Sequence, residues 1–171
     1  VTTDRADDVL IFNGDAVNLI GGAEVNATFT RLMGSAGNDT LDLSAADSVA
    51  TIYGGAGNDM ITLGDTITAY GDAGDDTIAG GGYNDTIQGG DGADSLTGGA
   101  GTDNMTGDAG DDNMQGGAGA DTVNGGTGND YIAGDAGADT IYGGTGNDTI
   151  LGGADADSIF GDAGNDSILG G

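Results

Sequence analysis

The chain has 171 residues, of which 39 are glycine, 29 are acidic and two are arginine, so that its formal net charge is −27. This charge argues against nucleic acid as a partner, and the absence of histidine and cysteine excludes catalytic triads, histidine or thiolate zinc sites and disulfides. No run of eighteen apolar residues predicts a membrane span.

The first 33 residues contain apolar or alternating runs bounded by polar residues. These runs lie at Val9 to Phe12, Val17 to Ile20 and Val25 to Met33. Such patterns are typical of β-strands.

A nine-residue repeat begins downstream of this segment. Two less regular copies run from Gly34 to Asp42 and from Gly54 to Thr62. Eleven consecutive copies of G-[GD]-x-G-x-D-x-U-x, with U apolar, then run from Gly71 to Leu169 in one phase, with departures at the fourth position of two copies. Disordered low-complexity sequence has no cause to keep such a phase, so the pattern indicates a repeat fold.

The spacing within each repeat predicts a turn of six residues followed by a short x-U-x strand. Nine residues then form half a coil and eighteen a full coil, which stacks residues eighteen apart at the roughly 4.8 Å spacing of parallel strands. The apolar eighth positions therefore line two facing sheets, beginning with Ile78 in one and Ile87 in the other.

These repeats resemble those of the RTX (haemolysin-type) family, the calcium-binding nonapeptide repeats of secreted bacterial proteins. The resemblance implies an all-β fold, a right-handed parallel β-roll (a β-helix solenoid) with two short-stranded sheets and calcium-binding turns. We expect one continuous solenoid with irregular N-terminal capping coils at 1–33, transitional coils at 34–70 and the regular β-roll at 71–171.

The apolar interior of such a roll is too small to hold the fold. One buried aliphatic side chain per repeat contributes about 2 to 3 kcal/mol, whereas ordering nine residues costs on the order of 10 kcal/mol. Stacked aspartates about 4.8 Å apart add a repulsion of roughly 1 to 4 kcal/mol. We therefore expect the chain to be unfolded without a cation, and calcium suits a site of carboxylate and carbonyl oxygens better than zinc or magnesium does.

The resemblance places each ion between turns that lie eighteen residues apart. The carboxylate ligands are then Asp39, Asp59, Asp76, Asp85, Asp94, Asp103, Asp112, Asp121, Asp130, Asp139, Asp148, Asp157 and Asp166. Glycine carbonyls of the turns complete the sites, at Gly37, Gly57, Gly74, Gly90, Gly92, Gly99, Gly101, Gly110, Gly117, Gly119, Gly126, Gly128, Gly137, Gly144, Gly146, Gly153 and Gly164. About eleven Ca²⁺ ions would offset 22 of the 27 net negative charges.

Some turns depart from the pattern. The fourth position is Tyr83 in one repeat and Asp155 in another, and we expect the site around Gly80 to Asp85 to be the least regular. The second position is aspartate in four repeats, at Asp72, Asp108, Asp135 and Asp162. The turns near Ser44 to Asp47 and at Gly64-Asp65 lack the motif and are expected to close without metal.

The outward positions become apolar toward the C-terminus. The residues concerned are Tyr131, Tyr142, Leu151, Phe160 and Leu169. Tyr142 and Phe160 are eighteen residues apart, as are Leu151 and Leu169, so each pair is expected to stack on one outer face. Two interpretations stay open, namely scattered surface hydrophobes or a docking site for a following segment or a partner protein.

We expect this chain to be a non-catalytic, calcium-binding piece of a larger secreted or cell-surface bacterial protein that folds in calcium after type I secretion. The alternative is an extracellular adhesion or carbohydrate-binding module whose polar outer faces bind a glycan. Ice binding is less favoured, because the aligned Thr127, Asn129, Thr145 and Asn147 span only two rungs.

Overall fold

The computed structural model describes residues 8–11, 18–20, 29–44, 51–64 and 66–171. Within these ranges all eighteen regular elements are β-strands. The odd-numbered strands form sheet 1, with bounds Asp8–Ile11 (β1), Phe29–Met33 (β3), Thr51–Ala56 (β5), Thr68–Ala73 (β7), Thr86–Asp91 (β9), Asn104–Ala109 (β11), Thr122–Thr127 (β13), Thr140–Thr145 (β15) and Ser158–Ala163 (β17). The even-numbered strands form sheet 2, with bounds Asn18–Ile20 (β2), Thr40–Asp42 (β4), Met60–Thr62 (β6), Thr77–Gly81 (β8), Ser95–Ala100 (β10), Asn113–Ala118 (β12), Tyr131–Ala136 (β14), Thr149–Ala154 (β16) and Ser167–Leu169 (β18).

Each strand pairs in parallel with the strand one full coil away. In sheet 2, Ile78 aligns with Leu96 and Leu96 with Met114, which is the predicted register of eighteen residues. Two parallel sheets whose strands alternate along the chain make a β-solenoid, so the predicted all-β roll is confirmed.

The N-terminal strands β1, β2 and β3 fall within the three runs that the sequence predicted to be strands, or overlap them. They pair with the next coils, β1 with β3 and β2 with β4, and so continue both sheets. Of those runs, residues 12, 17 and 25–28 lie outside the described residues.

Most strands are longer than the sequence indicated. The expected x-U-x strand has three residues, whereas β10 has six and includes the first three positions of the next repeat. The reason is that the pairing resumes after the first-position glycine, with Gly99 opposite Gly117 and Ala100 opposite Ala118. The turn proper is therefore short, and both of its ends are fixed by cross-coil pairing.

The core consists of apolar side chains packed between the two sheets, with one row from each sheet. It runs from Leu32 through Ile87 and Leu96 to Ile150, each at most 1% exposed. Ile168, which the sequence placed in this core, is 50% exposed. The difference arises because β17 and β18 end their sheets and have a paired strand on one side only.

Candidate metal centre

The sixth-position aspartates lie in two columns, one at each edge of the roll. Column 1 joins sheet 1 to sheet 2 and contains Asp39, Asp59, Asp76, Asp94, Asp112, Asp130, Asp148 and Asp166. Column 2 joins sheet 2 to sheet 1 and contains Asp85, Asp103, Asp121, Asp139 and Asp157. Eleven of these thirteen side chains are at most 2% exposed, and Asp157 and Asp166 in the last coil are half-buried.

From Asp59 onward, one carboxylate oxygen of each column aspartate accepts a hydrogen bond from the previous coil. In column 1 the Oδ1 atom of Asp94 accepts a hydrogen bond from the backbone N–H of Asp76 at 2.8 Å, and in column 2 that of Asp121 accepts from Asp103 at 2.8 Å. The upstream spacings of 20 and 17 residues make the same bond, at 2.8 and 2.7 Å. The structure thus brings the predicted aspartates together in the predicted columns.

In eleven of the thirteen aspartates the other carboxylate oxygen has no partner. The Oδ2 atom is buried and accepts no hydrogen bond in eleven aspartates, namely Asp59, Asp76, Asp85, Asp94, Asp103, Asp112, Asp121, Asp130, Asp139, Asp148 and Asp157. A buried, unpaired carboxylate oxygen is costly unless a cation or a proton accompanies it. Because this feature recurs along both columns, it indicates that a cation or a proton belongs beside each of these oxygens.

Burial makes these carboxylates hold protons more tightly. It raises the pKa of Asp76 and of Asp112 from 3.8 to about 7, with repulsion from neighbouring aspartates adding to the effect. In column 2 it raises the pKa of Asp85 and of Asp121 to about 6. The folded columns therefore favour neutralisation of their charge.

Backbone oxygens surround the same space. A Cβ atom added to Gly71 would lie 2.2 Å from Oδ2 of Asp76 and 2.5 Å from the carbonyl oxygen of Gly89 in the next coil. This arrangement recurs at the first-position glycines of both columns. These carbonyls were not among the ligands derived from the sequence, because their position depends on the coil stacking.

The second- and fourth-position glycines have carbonyl oxygens that point at the next coil. A Cβ at Gly90 would lie 2.0 Å from the carbonyl oxygen of Asp72, and one at Gly92 would lie 2.1 Å from that of Gly74. Both glycines have positive φ, 119° and 139°, which other residues rarely adopt. Glycine is thus required both for the turn and for the close approach of the coils.

The donor set fits calcium. Among the described residues no three acidic side chains converge to form a metal site by themselves, so a cation in these turns must take most of its ligands from the backbone. Calcium accepts six to eight oxygens, backbone carbonyls included, at about 2.3–2.6 Å. The unpaired Oδ2 atoms and the glycine carbonyls supply such oxygens. Their role as ligands stays a prediction.

The irregular turns differ in the expected places. Tyr83 lacks the positive φ that the fourth-position glycines of the regular block have, so its turn is built differently, whereas Asp155 adopts φ 81°. One coil before Asp85, the position of the column 2 aspartates is taken by Ile67, whose backbone N–H donates to Oδ1 of Asp85 at 2.9 Å. Residues 45–50 and Asp65, in the turns expected to be metal-free, lie outside the described residues.

The Asp39 turn also departs from the others. Its Oδ2 atom accepts a hydrogen bond from the backbone N–H of Ser35 at 2.6 Å, and the Ser35 hydroxyl lies 3.0 Å from both carboxylate oxygens. Gly37, a predicted ligand in this turn, donates its N–H to the Ser35 hydroxyl at 3.4 Å. Position 2 is serine here rather than glycine or aspartate.

The sequence-based interpretation missed two features. Fifth-position asparagines and aspartates of column 1 bond from coil to coil, as when Oδ1 of Asn129 accepts from the N–H of Asn147 at 2.9 Å. Tyr53 and Tyr70 stack on the outer face of sheet 1 at 4.9 Å, with the Arg31 guanidinium 5.0 Å from the Tyr53 ring centre. Both features follow from the coil period. The alignment of Asn129 with Asn147 was expected from the sequence, but the hydrogen bonds between such residues were not.

The C-terminal apolar pairs lie as predicted. Tyr142 and Phe160 stack at 5.1 Å, and Leu151 aligns with Leu169 on sheet 2. Among the described residues no helix is long and apolar enough to cross a membrane.

A family model described as the RTX calcium-binding nonapeptide repeat, in four copies, matches residues 28–47, 51–66, 70–105, 106–141 and 142–171. No curated protein matches the chain. The family match covers most of the sequence, includes both aspartate columns and agrees with the solenoid and its unpaired carboxylates. The chain is therefore a member of the RTX calcium-binding nonapeptide repeat family.

Proposed function

We propose that this calcium-binding β-roll is a folding switch of a larger secreted bacterial protein. The chain stays unfolded where calcium is scarce, passes through a type I secretion channel and folds on reaching calcium outside the cell. The observation that carries the proposal is the set of eleven buried Oδ2 atoms without a partner. Secreted proteins are the known context of this family, which favours the extracellular setting.

The unfolded state at low calcium follows from charge. Aspartates in one column are stacked at the coil spacing of about 4.8 Å, at which two carboxylates repel by roughly 1 kcal/mol in water and 3 to 4 kcal/mol near a protein surface. Arg31 is the only cationic side chain among the described residues, and it lies over Tyr53. Within the part of the chain that the structure describes, the columns thus have no protein counter-charge.

The folded state needs the chain's own oxygens to share a cation between coils. Bound calcium supplies a divalent charge that accepts carboxylate and carbonyl oxygens together. The aspartate of each turn contributes its Oδ2 atom while its Oδ1 atom keeps the previous coil in register. Every coil therefore needs its neighbours, and we expect folding to be cooperative along the roll.

The test is a calcium titration of the whole chain followed by far-UV circular dichroism. We expect a steep gain of β signal with a midpoint of ~10⁻⁴–10⁻³ M, the range of extracellular calcium modules. Magnesium at equal concentration gives no gain, and chelator reverses the change. A chain with the same β spectrum in chelator and in calcium would contradict the switch.

Three matched variants separate site loss from general damage. Asp112→Asn and Asp121→Asn remove buried column carboxylates, whereas Asp42→Asn removes a half-buried carboxylate outside the columns that accepts hydrogen bonds from Ser44. The first two variants should raise the calcium midpoint and the third should not. Equal midpoints in all three would contradict the assignment of the columns.

A further inference from the structure

An open groove lies on the outer face of sheet 1, at the edge next to column 1. It has a volume of 510 Å³ and crosses β7, β9 and β11. Its walls are Tyr70, Asp72, Gln88, Asp91 and Asp108, and Gly90 forms its floor.

The shape of the groove comes from a gap in a row of side chains. Asp72 aligns with Gly90, and Gly90 aligns with Asp108, so two carboxylates flank a position without a side chain. The Gln88 amide reaches forward to the Asp108 carboxylate in the next coil, with 2.5 Å between Nε2 and Oδ2. Space is thereby left beside the Tyr70 ring.

The residues of the groove are not those that the repeat requires. Position 2 is glycine in seven of the eleven regular repeats, and Asp91 is the only acidic residue at position 3. Three acidic residues that the repeat does not require, Asp72, Asp91 and Asp108, thus lie on three neighbouring strands of sheet 1. Other coils pair in the same register with glycine and alanine at these positions, as with Gly99 opposite Gly117 and Ala100 opposite Ala118.

The charge of the groove selects its ligand. Its carboxylates accept hydrogen bonds, and Arg31, the one cationic side chain among the described residues, lies over the far side of the ring stack. No three acidic groups of the described residues are placed to hold a metal. The guanidinium of Arg31 over Tyr53 shows that this stack already holds a cation at one end, and Tyr70 is at the end facing the groove.

We propose that this groove binds a lysine- or arginine-rich segment of a partner protein. A cationic side chain lies between Asp72 and Asp108 and against the Tyr70 ring, and Asp91 receives a second cation of the segment. The carboxylates supply charge complementarity, and the ring supplies a surface for a cation–π contact. This binding needs the folded, calcium-loaded roll, because Gly90 on the floor of the groove is also a predicted calcium ligand.

The test measures fluorescence anisotropy of a labelled arginine-glycine repeat peptide with the calcium-loaded chain at physiological ionic strength. A peptide with glutamine for arginine is the control. The variant Asp72→Gly/Asp108→Gly installs the residue of the neighbouring repeats, so the fold is kept. Asp135→Gly/Asp162→Gly is the matched control, because it removes two charges at the same repeat position elsewhere.

We expect saturable binding of the arginine peptide, a loss of about fivefold or more in Asp72→Gly/Asp108→Gly and less than about twofold in the matched control. Tyr70→Gln, which copies Gln88 of the next coil, should weaken binding about threefold. Equal loss in the two double variants, unchanged binding in Tyr70→Gln or no saturable binding of the unaltered chain would overturn the proposal. The calcium-induced circular dichroism of each variant shows separately whether the roll has folded.

Discussion

The two turn columns share the sixth-position aspartates but differ one residue earlier. In column 1 the fifth-position residues form a second ladder, in which Asp75 accepts from the N–H of Ala93 at 3.0 Å and Asn147 from that of Asn165 at 3.0 Å. In column 2 this position supplies a single such bond, from the N–H of Thr102 to Asn84 at 2.9 Å, and then continues as alanine. One edge of the roll is therefore tied by two ladders and the other by one.

This difference bears on how strongly the stability of each column depends on bound calcium. An exposed hydrogen bond between coils contributes about 0.5–1.5 kcal/mol and needs no cation. Column 1 has such bonds at most of its coils, interrupted after Ala93, whose side chain offers no acceptor to Asp111. We expect column 2 to depend more strongly on calcium than column 1.

The largest expected effect is common to both columns. Gly128→Ala in column 1 and Gly119→Ala in column 2 would put a Cβ atom less than 2 Å from a carbonyl oxygen of the previous coil, at a backbone of positive φ. Each should cost about 3 kcal/mol or more and raise the calcium midpoint in the circular dichroism titration. Gly82→Ala is the control, since no atom lies within 4 Å of its added Cβ. A tolerated Gly128→Ala would contradict the close stacking.

The next effect should separate the columns. Asp130→Asn and Asp121→Asn both keep an oxygen for the N–H of the previous coil but remove the charge. We expect the calcium midpoint to rise about tenfold for Asp121→Asn and about threefold for Asp130→Asn, because the fifth-position bonds of Asn129 to Asp111 and to Asn147 still hold the coil of Asp130 on both sides. The same titration measures both, and an equal or reversed order would refute the unequal dependence on calcium.

A smaller effect is expected from removing a fifth-position hydrogen bond in column 1 or adding one in column 2. Asn147→Ala removes the acceptor for the N–H of Asn165 and should destabilise the calcium-loaded roll by about 0.5–1 kcal/mol. Ala138→Asn gives column 2 an acceptor facing residue 156 and should stabilise it by a similar amount. Urea unfolding at fixed calcium measures both changes. If Ala138→Asn does not stabilise the roll, the ladder is not transferable between the columns.

The sequence predicted the repeated part of the molecule well, because periodicity is a property of the chain itself. The register from Ile78 to Leu96, the column through Asp39, Asp59 and Asp76, and the stacking of Tyr142 on Phe160 all follow from counting residues per coil. The family follows from the same pattern.

The features that the sequence did not show depend on side-chain direction and on the approach of one coil to the next. The groove beside Tyr70 exists because Gln88 turns toward Asp108. The first-position carbonyls, such as that of Gly89, face the Oδ2 atoms only once the coils are stacked. The partial exposure of Ile168 arises because its strand is the last of its sheet, which the repeat pattern does not encode.

The smallest expected effect is a pH dependence of the calcium-free chain. Folding raises the pKa of Asp112 from 3.8 to about 7 and that of Asp121 to about 6, chiefly through burial. The folded, calcium-free chain therefore binds protons more tightly than the unfolded chain. This contribution to stability is complete below pH 3.8 and is lost as the pH rises through about 6 for Asp121 and about 7 for Asp112.

In calcium-depleted buffer the chain should accordingly gain β signal as the pH is lowered from about 8 to about 5, because protons neutralise the buried carboxylates that lack a cation. Circular dichroism against pH measures the gain. Asp112→Asn should remove part of the gain near pH 7, and Asp121→Asn should remove part of it near pH 6. A calcium-free spectrum that does not change over this range would show that charge on the columns is not what keeps the chain unfolded.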